Sequence, residues 1–119
     1  MFETPLQVQL DTETVGSTTW IVISDLIYND PKFGKIVVPA GFVTDFASVP
    51  RIPVIFELVG ADGSLGATVH DYLYHNGTIE RKDVDGIFLD ILLNSGIGKV
   101  RSYMMYYGVR AFGWMYFRK

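Results

Sequence analysis

The chain has 119 residues, which suits one domain around one hydrophobic core. Apolar residues make up 49% of it and charged residues 19%, which excludes extensive disorder. The net charge is −3, and Lys and Arg are spread along the chain without a basic block. Nucleic acid is therefore not expected as a partner, because phosphate binding needs a clustered positive face.

There is no cysteine, which removes disulfides, thiolate zinc sites and a cysteine nucleophile together. The start, Met1-Phe2-Glu3-Thr4-Pro5, lacks the basic-then-apolar order of a signal peptide. No run approaches the roughly 18–20 apolar residues that span a bilayer. A cytoplasmic site of synthesis is the expectation.

The first half reads as strands. Leu6, Val8 and Leu10 alternate with Gln7 and Gln9, the period of a half-buried strand. Thr12 to Ser17 is polar, carries Gly16 and reads as a turn. Thr18 to Tyr28 is β-branched and aromatic and reads as a second strand, broken at Asn29-Asp30-Pro31. Ile36-Val37-Val38 gives a third, stopped at Pro39-Ala40-Gly41 and resumed at Phe42-Val43. From Thr44 the period dissolves through two prolines and Gly60, Gly63 and Gly66, predicting an irregular connection over about 44–65.

The second half reads as helices over about 66–118. The first ends near Asn76-Gly77, a left-handed cap signal. Thr78 is expected to cap the second, where Val84, Ile87, Phe88, Ile91 and Leu92 form one apolar stripe. A third runs from about Lys99, with Val100, Tyr103, Met104, Tyr107 and Ala111 on one side. Aromatic residues ring it, so it is either central to its domain or meets a partner. Gly108 and Gly113 within it predict close contacts with another element. The fold class is α+β: antiparallel strands over about 5–43, the irregular loop, then three helices, in a single domain over 1–119.

One pair of residues stands out against this pattern. His70 and Asp71 lie side by side in a segment that is otherwise a buried helix, and Asp85 interrupts the next apolar face. Burying an unpaired charge costs several kcal/mol, roughly, so such groups pair with one another or hold a metal. His70 and Tyr74 share a helical face. A histidine whose tautomer is fixed by a carboxylate can take a proton from water, with Asp85 as that carboxylate. Asp71 would then be placed to ligate a hard cation such as Ca²⁺. The structural alternative uses the same residues as a buried polar network: Asp85 paired with Arg81 one turn earlier, and Asp45 paired with Arg51 to pin the loop. His75, at a helix end, is expected to be solvated.

Three stretches carry a family resemblance: Val38-Pro39-Ala40-Gly41-Phe42-Val43-Thr44-Asp45-Phe46-Ala47-Ser48-Val49-Pro50-Arg51, Val69-His70-Asp71-Tyr72-Leu73-Tyr74 and Val84-Asp85-Gly86-Ile87-Phe88. With Met105 to Gly113 they resemble a phage and prophage family known as domain of unknown function 1353. Val84 stands where that family usually has Ala, while the acid after it is in place. The resemblance implies a bacteriophage or prophage protein associated with the virion, tail or lysis, made in the host cytoplasm and incorporated into the virion. Other virion or tail proteins are its implied partners.

More loosely, His70-Asp71-x-x-Tyr74 with an acid on a following antiparallel helix is similar to phospholipases of the A2 class. That similarity implies a Ca-dependent hydrolase in transient contact with the host envelope or lipid. His70 would activate water, Asp85 would orient it, Tyr74 would support it and Asp71 would hold the ion. The upstream glycine-rich calcium loop of those enzymes has no clear counterpart, since Gly60, Gly63 and Gly66 are differently set. Two functional expectations stand: a metal-assisted hydrolase, or a non-catalytic structural or assembly component of the phage virion.

Overall fold

The computed structural model describes residues 2–10, 20–44, 63–115 and 117. The predicted turn at 12–17, most of the predicted loop, and both Asp45 and Arg51 lie outside the described residues. The architecture is α+β, with antiparallel strands first and three helices after them. The chain forms two compact units, Met1–Asp45 and Phe46–Lys119.

In the first unit, β1 (Val8–Leu10) and β5 (Val43–Thr44) flank β2 (Trp20–Val22) in an antiparallel sheet. A separate hairpin pairs β3 (Leu26–Asp30) with β4 (Gly34–Val38). Period-2 burial places Leu26, Tyr28, Ile36 and Val38 on its inner face. The turn is built by its sequence: the Asp30 carboxylate accepts the Lys32 and Phe33 amides at 2.9 Å each. Gly34 then closes it at φ 77°, a left-handed value that favours glycine.

Two expectations are corrected here. The segment expected as one strand from Thr18 to Tyr28 is two strands, interrupted at Ile23–Asp25. Side chains there compete with the ladder. Ser24 donates to Gln7 at 2.8 Å, and the Asp25 carboxylate accepts the Ala40 amide at 2.8 Å. Thr4 also spans the bend, donating to the Asp25 carbonyl and accepting from the Ile27 amide. Thr44, expected to open the loop, instead belongs to β5 and pairs with Trp20.

The second unit holds α1 (Gly63–Asn76), α2 (Arg81–Asn94) and α3 (Lys99–Phe112), ending in a 3₁₀ turn at Gly113–Met115. Helix α1 begins three residues before the predicted start. It stops as predicted: the Gly77 amide bonds the Leu73 carbonyl at 3.0 Å, and Gly77 sits at φ 67°. Thr78 does not cap α2. That role falls to Glu80, whose carbonyl receives the Asp83 and Val84 amides without a side-chain cap bond.

The predicted stripe of α2 is buried in full, with Asp85 among it. Phe88 and Leu92 join Ala67, Ile97, Met105 and Val109 in one apolar cluster. Helices α1 and α2 approach closely at Gly66, where a Cβ would lie 3.2 Å from the Phe88 ring. Helix α3 is rotated from expectation. It buries Ser102, Met105 and Val109, while Val100, Met104 and Tyr107 face outward.

Candidate functional site

The site is assembled from all three helices of the second unit, around one carboxylate. Asp85 comes from the buried stripe of α2 and its side chain is 0% exposed. From α1, the His70 Nε2 lies 2.7 Å from Asp85 Oδ1, and the Tyr74 hydroxyl donates to the same oxygen at 2.5 Å. His70 and Tyr74 are one helical turn apart, so their rings stack at 4.0 Å and reach the same atom. The Phe88 ring, 4.9 Å from the imidazole, covers another side. From α3, Arg110 Nη1 donates to Asp85 Oδ2 at 2.9 Å.

Arg81, one turn before Asp85, completes the set. Its guanidinium lies 3.5 Å from Asp85 Oδ2 and donates to the carbonyls of Val109 and Arg110 at 3.0 and 3.1 Å. Those carbonyls belong to the last turn of α3, where a cation is favoured by the helix dipole. Arg81 therefore ties the start of α2 to the end of α3. Among the described residues, no buried side-chain nitrogen or oxygen lacks a hydrogen-bond partner.

A family described as a protein of unknown function, DUF1353, matches residues 20–109, well over half of the chain. The chain belongs to this family. No curated protein and no solved structure gives a match. The DUF1353 match takes in His70, Asp71, Tyr74, Arg81 and Asp85, and stops one residue short of Arg110.

The structure thus brings His70, Tyr74, Arg81 and Asp85 together as the sequence predicts. Asp71 is buried but points elsewhere, with Oδ1 3.7 Å from His75 Nε2 one turn later. His75 is half-exposed, in keeping with its place at the helix end. Among the described residues, no three His, Cys, Asp or Glu side chains are gathered to hold an ion. Sequence reasoning gave Arg110 no role. Its one signal was a lone cation in an aromatic helix, and no spacing rule links it to an acid 25 residues away.

Protonation follows from this geometry. Burial alone would raise the Asp85 carboxyl, but the donors from His70, Tyr74 and Arg110 outweigh it and hold it below the ordinary 3.8. Burial lowers the His70 imidazole below 6.5, against the pull of Asp85. Burial, then the bond to Asp85, raises the Tyr74 phenol above 10.0. An ionised carboxylate only accepts hydrogen bonds, so neutral His70 carries its proton on Nε2.

Stability should accordingly form a plateau in pH. Below about 6.5 the unfolded histidine binds a proton that the folded one resists, so stability falls on acidification. It falls further below about 3.8 as the unfolded state takes up the Asp85 proton first. Above about 10 the unfolded tyrosine ionises before the folded one, and stability falls again. Thermal melts across this range test the shape, and a His70→Gln variant should flatten the decline that begins near 6.5.

Proposed function

We propose that this DUF1353 protein is a non-catalytic structural or assembly component of a bacteriophage or prophage particle. In this reading the network around Asp85 fixes the packing of its helices. The observation that carries it is the occupancy of Asp85. Both oxygens of a fully buried carboxylate are taken by donors from the other two helices, one of them a guanidinium at 2.9 Å. The phage context comes from the resemblance of its motifs to phage and prophage proteins.

Charge decides between scaffold and general base. A base must stabilise the imidazolium it becomes. Here the Asp85 charge is already shared by Arg110 and Arg81, so a proton on His70 would face both guanidinium groups. Asp71 next to His70 offsets this only in part, and the imidazole stays neutral. Such a network is suited to specifying one helix arrangement.

One observation favours the hydrolase reading. His70 and Tyr74 meet on a single oxygen of Asp85, the placement that the similarity to A2-class phospholipases implies. The two readings part on His70→Asn. As a scaffold residue, its replacement should lower the urea midpoint by the equivalent of about 1–3 kcal/mol. No phospholipid hydrolysis should then be detectable from the unaltered protein in Ca²⁺. Calcium-dependent release of fatty acid, lost in His70→Asn with the melting temperature unchanged, would overturn the scaffold reading. Added Ca²⁺ should also leave the melting temperature where it is, since an ion that binds only the folded state raises it.

A further inference from the structure

We infer that the outward face of α3 is a docking surface for an anionic membrane. The inference concerns residues outside the Asp85 network and holds whichever reading of that network is right. The outer crest of α3 is where a surface helix ordinarily carries charge. Here it carries Val100, Met104, Tyr107 and Ala111, recurring every three or four residues opposite the buried Ser102, Met105 and Val109. Val100 is 74% exposed, Met104 46% and Tyr107 64%. Phe112 and Trp114 extend the surface past the helix end at 52% and 65%. Tyr103, Tyr106 and Tyr107 pack on one another rather than into the core, with ring centroids 5.4–6.4 Å apart.

Charge identifies the occupant. All 13 acidic residues lie at or before Asp90, and none follows. Of the 10 basic residues, Lys99, Arg101, Arg110, Arg118 and Lys119 come after it, with Arg110 committed to Asp85. The net −3 therefore hides an acidic remainder and a wholly basic final segment. A helix that exposes Trp, Tyr and aliphatic side chains among cations alone matches the water–hydrocarbon boundary of an anionic bilayer. Two copies could not meet through this face without bringing like charges together. Single-stranded nucleic acid would use the rings and the cations, but Val100 and Met104 offer nothing for bases to stack on. No helix of the described residues is long and apolar enough to cross a membrane, so α3 would lie flat on the surface.

The test uses the full chain with vesicles of phosphatidylcholine alone or mixed with phosphatidylglycerol. Co-sedimentation is expected with the mixed vesicles, weakened by salt, and not with phosphatidylcholine alone. Trp114 emission should shift to the blue on binding, read in a Trp20→Phe background. Tyr107→Glu and, separately, Met104→Glu should each weaken partitioning about tenfold or more while leaving the melting temperature unchanged. Absence of binding to the mixed vesicles overturns the proposal, and so does binding that both glutamate variants retain. Self-association without vesicles that Tyr107→Glu abolishes, or preferential retention of an oligonucleotide, would assign the face to a different partner and overturn it equally.

Discussion

Asp85→Ala is expected to cost the folded state about 3–5 kcal/mol, against a total of about 5–15 kcal/mol for a typical domain. The loss comes less from the interactions removed than from the groups left behind. The His70 and Tyr74 donors would be buried with no acceptor, and Arg110 and Arg81 would lose the carboxylate that compensates them. Asp85→Asn separates the two contributions. It keeps the shape and one acceptor oxygen but removes the charge, and its loss should fall between alanine and the natural protein. Urea denaturation read by helical circular dichroism gives both values. If both variants stay within about 0.5 kcal/mol of the natural chain, the network carries no stability.

Breaking a buried ion cluster differs from replacing it. Exchanging His70, Tyr74, Asp85 and Arg110 together for apolar residues of similar volume could leave stability unchanged, because four desolvation penalties vanish along with the bonds. What the polar version supplies is direction. An apolar contact tolerates sliding and rotation, whereas a carboxylate shared by three specific donors permits one arrangement of α1, α2 and α3. That distinction suits a protein whose surfaces must be presented in a fixed relation to partners.

The parts of this arrangement that sequence revealed were those governed by local physics. His70 and Tyr74 share a face because they are four residues apart in a helix, and Asp85 had to find partners because it interrupts an apolar stripe. The α2 stripe and the Asn76-Gly77 stop are local patterns too. Rotation of α3 was not legible. Its more apolar side, Val100, Met104 and Tyr107, is the exposed one. The side facing the core includes Ser102, whose hydroxyl is satisfied by the Gly98 carbonyl at 2.7 Å. Hydrophobicity alone selects the wrong face, because the Arg110–Asp85 bond and the Arg81 clamp on the Val109 and Arg110 carbonyls set the rotation across long sequence distances. The strand break at Ile23–Asp25 was hidden for a similar reason, since Gln7 and Ala40 supply the competing hydrogen bonds.

Gly113→Ala should destabilise the protein by about 1–3 kcal/mol, although alanine is intrinsically the better residue there by about 1 kcal/mol. Gly113 has φ −66°, a value open to any residue, so space alone requires glycine. A Cβ there would sit 2.6 Å from the Tyr74 hydroxyl oxygen and 3.1–3.2 Å from two ring carbons. Tyr74 has nowhere to retreat: it is fully buried, held at 2.5 Å by Asp85, stacked on His70 and met edge-on by Phe117 at 5.2 Å. If the backbone moves instead, the shift reaches Val109, whose carbonyl receives both the Gly113 amide and Arg81. Tyr74→Phe removes the atom in closest conflict while leaving the ring carbons. The double variant should therefore be more stable than the two single losses predict, by about 1 kcal/mol. Strict additivity would mean that the hydroxyl and the glycine do not touch, and Tyr74 would then need another route to Asp85.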